Sequence, residues 1–301
     1  MANAETGNHT SPEKLRKRTQ RKVIELVTFG ESRSERKNPI RNIGIHSIQG
    51  QRKYMEDRYK EIQNFRGKAN ETFLAVYDGH TTGLVADYAA HHLHERLENN
   101  LDMPYYTNSG RLRETFMQID QEVLQLGIEG GSTATVLFIQ GENLSIANVG
   151  DSHAVLDRGG RALCLTRDHK LLDPREWYRV EQAGGTIAFK ENFFRIFPPK
   201  SGPDFSYGIN MARSLGDHEF GNNIVTALPD TKKIRLKNKD RKLIIASDGI
   251  WDVISDQEAV DLIKDITDPN EAAQKLTQEA LSRGSGDNIT ALVAYMFRNQ
   301  S

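Results

Sequence analysis

A single cysteine, Cys164, stands in a chain of 301 residues. One thiol excludes an internal disulfide framework and a Cys-rich zinc site. The expected setting is therefore a reducing one inside the cell, cytoplasmic or nuclear. No apolar run approaches the roughly 20 residues of a membrane-crossing helix. The first residues also lack the apolar stretch of a secretion signal, and Met-Ala-Asn offers no second-position glycine for myristoylation. An excess of charge of either sign is missing too, with Lys and Arg at 40 and Asp and Glu at 41. No whole-molecule field then draws nucleic acid or an anionic membrane. No internal repeat is visible. What remains is a globular chain, long enough for one large domain or two small ones and a substantial core, and we expect a monomer.

Residues 1–41 are polar, with a basic run, LRKRTQRK, ending at Lys22. They read as a solvated tail ahead of a folded domain spanning 42–298. Ile43–Ile48 and Phe73–Tyr77 have the composition of strands. Leu84, Val85, Tyr88, Leu93 and Leu97 fall on one helical face, and Leu112, Phe116, Ile119 and Val123 on another. Two consecutive helices argue against strict β-α-β alternation. Four short strands follow between Thr133 and Leu165, separated by hairpin signals, which predicts an antiparallel meander. Asp173–Ala183 reads as a helix, with Pro174 at its start and Gly184 beyond its end. Lys190–Asn210 holds three prolines, several aromatics and no period, and reads as a mobile surface loop. A strand (KLIIAS), two helices (Asp256–Ile266 and Pro269–Arg283) and a last strand from Ile289 complete the chain.

The informative pattern is a set of acids at the ends of apolar strands. VYDGH presents Asp78, NVGDS presents Asp151, ASDGIWD presents Asp248 and Asp252, and SGDN presents Asp287. Glu56 and Asp57 follow Arg52. One Asp-Gly pair is an ordinary turn, but several placed alike suggest convergence on one rim. Converging carboxylates repel and need a positive partner. An all-oxygen set suits a hard divalent cation, Mg²⁺ or Mn²⁺. The number of acids points to two ions about 3.5–4 Å apart sharing an acidified water, a device suited to phosphoryl ester hydrolysis. Arg52 can grip phosphate oxygens and His80 can protonate a leaving alkoxide, although alone each would read as polar surface. His91, His92 and His94 are set aside as a metal site, because their spacing does not put all three on one helical face.

These motifs together resemble the metal-dependent Ser/Thr protein phosphatases of the PP2C type. QGQRKYMED, VYDGH, GSTATVLFI, LSIANVGDSHAVL, LTRDHK, MARSLGD, LIIASDGIWDVIS and GDNIT occur in family order between about Ile43 and Phe297. The resemblance implies an α+β fold in which two antiparallel sheets pack as a β-sandwich flanked by helix pairs, with the metal centre at one end. It implies that Asp78 bridges two ions, that the Gly79 carbonyl ligates one, and that Asp248 and Asp287 hold the other. Glu56 and Asp57 would act in the outer shell, Asp151 with Asp248 at a third, more loosely held ion, and Asp252 close by. Arg52 would bind phosphate and His80 act as general acid, on phosphoprotein substrates, without a phosphoenzyme. The segment near 190–210 falls where the family has a flap beside the active site.

Four positions depart from the family pattern. Thr81 and Thr82 stand where small residues are usual, and a threonine hydroxyl there can cap the following helix. His153 replaces a common arginine and puts that arginine's contact in doubt, and Leu171 stands where proline is frequent. The alternative class, a catalytically dead scaffold, is disfavoured by the intact acid set.

Overall fold

The computed structural model describes residues 38–104, 106–190, 192–199, 207–221 and 223–296. Residues 1–37 of the expected N-terminal tail, and part of the expected flap, lie outside the described residues. Among the described residues, one five-stranded sheet orders its strands Ile40–Ile48, Ile289–Met296, Asp240–Ala246, His153–Arg158 and Ala162–Cys164. A second sheet is built on Glu71–His80, which lies between Asp57–Gln63 and Ala134–Gln140. Asn143–Val149 and Asp230–Arg235 extend that sheet outward on one side. Every pairing in both is antiparallel.

The two sheets pack face to face, and the alternation of strand side chains shows how. In FLAVY, Leu74 and Val76 enter the core between the sheets, where they meet Leu137, Ile139, Leu156, Ile245 and Leu292. Phe73, Ala75 and Tyr77 point the other way, against helices Leu84–Leu101 and Asn108–Leu126. The opposite outer face, with Ile244, Ala246, Ala291 and Val293, is covered by helices Asp256–Leu262 and Pro269–Ser282. Burial on both faces is why these central strands are apolar throughout rather than alternating. The result is the expected helix–sheet–sheet–helix sandwich.

The helix starts follow local chemistry. Asp173 accepts the Arg175 N–H ahead of Pro174–Gln182. Ser255 and Glu258 form a reciprocal capping box on the helix beginning at Asp256. Two expectations need correction. Lys190–Asn210 is not irregular throughout: Thr186–Lys190 and Phe193–Phe197 pair as a hairpin with Phe189 opposite Phe194. The strands Asp57–Gln63 and Asp230–Arg235 escaped notice because they are polar and only partly covered, so they lack an apolar run.

Candidate active site

Most of the predicted acids lie at strand ends or turns that a neighbour braces, while Asp248 opens and Asp252 caps the short helix Asp248–Trp251. The Asp78 N–H donates to Thr133 Oγ1 at 3.0 Å, and the Thr133 N–H returns a bond to the Asp78 carbonyl. The Asp151 turn is held by the Gly150 N–H donating to His169 Nδ1 at 3.1 Å. Ser247, next to Asp248, donates its hydroxyl to Asp57 Oδ2 at 2.7 Å, and Asp57 lies directly across from Asp78 in the sheet. Asn288, next to Asp287, accepts the Glu56 N–H at 2.8 Å and donates to the carbonyls of Gln49 and Tyr54. That asparagine stitches the segment carrying Arg52 and Glu56 onto the turn carrying Asp287. At Gly79 an added Cβ would lie 2.8 Å from the Glu56 carbonyl oxygen, so only glycine permits this close approach.

The structure brings the predicted residues together. Arg52, Glu56, Asp78, Gly79, His80, Asp248, Asp252 and Asp287 line one cavity of about 960 Å³. Asp57 and Asp151 are buried, at 3% and 1% exposure. Burial first, then the charges of Asp57, Asp248, Asp151 and Asp287, holds the Asp78 carboxyl well above the usual carboxylate range. Burial and the charges of Asp151, Asp252 and Asp287 do the same to Asp248. Asp57 is pushed up to about 6, mainly by burial, against hydrogen bonds from Thr290 and Ser247. Burial also raises Asp151, with the Lys170 charge pulling the other way. Both carboxylate oxygens of Asp151, together with Asp57 Oδ1 and Asp248 Oδ1, are buried without a hydrogen-bond partner. Orphaned buried oxygens are costly. A cluster of acids each pushed toward protonation by the others fits hard divalent cations, which would remove both penalties.

Sequence reasoning missed two members of the site. Lys170 reaches Asp252 at 3.0 Å and Asp151 at 3.5 Å, and these acids keep it charged despite burial. Asp217 is buried and receives His80 Nε2 at 2.8 and 2.9 Å on its two oxygens. Burial alone would lower the His80 pKa, but the Asp217 charge and hydrogen bond hold it above the ordinary value. Asp217 also accepts the Ser214 hydroxyl at 2.5 Å, and a Cβ at Gly131 would sit 2.2 Å from its Oδ2. The available signal was the acid closing MARSLGD. Arg52 is not free either, since its Nη2 donates to Asp287 Oδ2 at 2.6 Å.

The departures now have physical explanations. Thr81 adopts a positive φ of 75°, costly for a β-branched residue, and its Oγ1 bonds the Tyr207 hydroxyl at 2.9 Å. Thr82 Oγ1 accepts the N–H of Leu84, the first residue of the next helix, at 3.3 Å. Leu171 is buried among Ile196, Ile209 and Phe220 beneath the hairpin. His153 supplies a cation of its own. Its ring stacks on Trp251 at 4.1 Å and bridges Asp168 (Nδ1, 3.0 Å) and Asp256 (Nε2, 3.1 Å). Burial pulls its pKa down, but the two acids outweigh it and push it up to about 9. A ring nitrogen of His153, Cys164 Sγ and an Asp256 oxygen lie within 4.8 Å of one another, a spacing that suits a metal ion. An imidazolium committed to two carboxylates, beside a thiol that burial raises to about 11, favours the proton over a metal there.

A pH dependence follows. The folded value of about 9 exceeds the 6.5 of an unperturbed histidine, so this stabilisation is complete below about pH 6.5 and is lost as the pH rises through 9. The gap is worth on the order of 3 kcal/mol. Thermal unfolding of His153→Gln against the native chain should show a deficit near pH 6 that narrows toward pH 9. A deficit that stays constant across that range would refute the charged bridge.

Comparisons with known proteins agree with this geometry. The family model described as protein phosphatase 2C matches residues 41–289. The chain is 37% identical over 265 residues to protein phosphatase 2C homolog 1 of Saccharomyces cerevisiae, covering 81% of this chain and 89% of that protein. It is 35% identical to protein phosphatase 1L of Bos taurus, covering 86% and 73%. Among solved structures it is similar to a C. elegans sex-determining protein, with a TM-score of 0.76 at 25% identity, covering 94% of this chain and 72% of that one. The fold also matches a Toxoplasma gondii serine-threonine phosphatase 2C, with a TM-score of 0.72 at 22% identity, covering 87% and 98%. With its acid-lined cavity and a match over most of its length, the chain belongs to the protein phosphatase 2C family of metal-dependent serine/threonine protein phosphatases.

Proposed function

We propose that this cavity hydrolyses phosphoserine and phosphothreonine in proteins with two divalent cations, Mg²⁺ or Mn²⁺, and without a phosphoenzyme. The observation that carries the reading is the set of orphaned buried oxygens on Asp57, Asp151 and Asp248, in and beneath a cavity with an arginine in its wall. Asp78 and the Gly79 carbonyl would hold one ion, and Asp78, Asp248 and Asp287 the other. Glu56 and Asp57 would act through the outer shell, and Asp151 with Asp248 and Asp252 would serve a third, looser position. When bound, the ions supply an acidified water as nucleophile and positive charge for the phosphoryl oxygens.

The chain's own side chains do the rest. Arg52 spends one donor on Asp287, and its planar fork has others to orient a phosphate. Asp217 accepts from His80 Nε2, fixing the ring that lines the cavity and holding it protonated for the departing oxygen. Lys170 offsets the charge of Asp151 and Asp252. The half-buried Cys164, its thiol raised to about 11, is unsuited to be a nucleophile.

The test is phosphate release from a phosphothreonine peptide with Mn²⁺ or Mg²⁺ present. Excess chelator should abolish it and fresh cation restore it. Undiminished hydrolysis in chelator would overturn the reading.

A further inference from the structure

The cavity has two chemically distinct parts. Its floor is the acid set, and its rim carries an apolar patch. Phe189 and Phe193 of the hairpin, with Leu172, are 64%, 55% and 80% exposed, yet all three line the cavity that holds Arg52 and Asp78. Phe189 gives part of its ring to Phe194 within the hairpin, and more than half of each of the three surfaces stays exposed. Phe194 meets Trp177 edge-on at 5.0 Å and Phe189 at 5.2 Å, while Ile196 and Ile209 are buried beneath. The rim is also fastened in place. Ile196 and Ile209 exchange backbone hydrogen bonds at 2.8 and 3.1 Å, and the Arg195 Nη1 group donates to the Gly208 carbonyl at 2.8 Å. The Tyr207 hydroxyl bonds Thr81, one residue from His80. The strained φ of Thr81 is thus kept where its hydroxyl ties the hairpin's return segment to the catalytic turn.

A phosphoserine or phosphothreonine side chain is short. When its phosphate reaches Arg52, the backbone that carries it must lie at the cavity mouth. Its sequence neighbours, about 3.8 Å apart from Cα to Cα, then pass against the rim. Exposed apolar surface continuous with a polar catalytic floor marks ligand contact. We propose that Phe189, Phe193 and Leu172 form a subsite for an apolar side chain within a few residues of the phosphorylated position, so that the preferred substrates carry their phosphate beside Leu, Phe or a similar residue. This rests on the phosphatase reading above.

Two phosphothreonine peptides of equal length and charge test it, one with Leu or Phe at the positions flanking the phosphoresidue and the other with Ser. The native chain should hydrolyse the apolar peptide with kcat/KM about tenfold higher, carried mainly by KM. Combining Phe189→Ser, Phe193→Ser and Leu172→Ser, all at exposed positions, should bring the ratio of the two peptides close to one. Hydrolysis of the serine-flanked peptide shows the phosphatase reading standing independently of the ratio. Equal kcat/KM for both peptides in the native chain, or a preference that survives the triple substitution, overturns the subsite and leaves the phosphatase reading intact. If neither peptide is hydrolysed, that reading fails and the subsite with it.

Discussion

Asp248→Asn should lower kcat/KM for a phosphothreonine peptide by about a thousandfold, the scale of several kcal/mol of transition-state charge stabilisation. The substitution keeps the shape of the side chain, but it removes one negative charge and places an N–H₂ where an acceptor is needed. Asp248 Oδ1 is buried without a partner, and the carboxyl is held well above its usual range by burial and by Asp151, Asp252 and Asp287. In metal-free protein the same substitution relieves repulsion, so the melting temperature should hold or rise. Lost activity with undiminished metal-free stability separates a missing ligand from a damaged fold. A variant that melts early and binds cation normally would mean that Asp248 is structural.

Asp217→Asn should lower kcat for a phosphothreonine peptide by about a hundredfold, with KM little changed, the size of a general-acid contribution. The carboxylate faces His80 Nε2 and the Ser214 hydroxyl in a pocket so close that Gly131 has no room for a side chain. Asparagine fits the space but removes the charge that keeps the imidazole protonated. The loss should depend on the leaving group. A threonine alkoxide needs the proton, whereas a nitrophenolate leaves without much help, so hydrolysis of p-nitrophenyl phosphate should fall by less than about tenfold. Equal losses on both substrates would make Asp217 a structural support rather than the residue that positions the acid.

The parts of this site visible from sequence are those written locally. Asp78, Asp151 and Asp248 each close an apolar run, because a strand covered on both faces must be apolar and must stop where it meets the polar rim. The two-sheet sandwich follows only from the family resemblance, whereas the residues themselves show strands, an antiparallel meander and the two helix pairs. Partnerships across the fold were not legible. Asp217 follows a strand of two residues and finds His80 far away in sequence, and Arg52 finds Asp287 at a still longer range. Asn288 follows the Gly-Asp turn with no local mark of its role, although its side-chain amide ties down the Glu56 segment. His153 looked like the loss of an arginine, because nothing local shows that Asp168 and Asp256 keep it charged. The hairpin under Phe189 and Phe194 was hidden by the prolines that follow it, which made the whole segment look irregular.

The central claim is that Asp78, Asp248 and Asp287 gather divalent cations at the cavity floor, and calorimetric titration of Mn²⁺ into the purified chain tests it most directly. Two ions should bind per chain, a third following more weakly, and Asp78→Asn should abolish the tighter binding while the variant remains folded. Absence of binding in the native chain, or an isotherm unchanged by Asp78→Asn, would contradict the account.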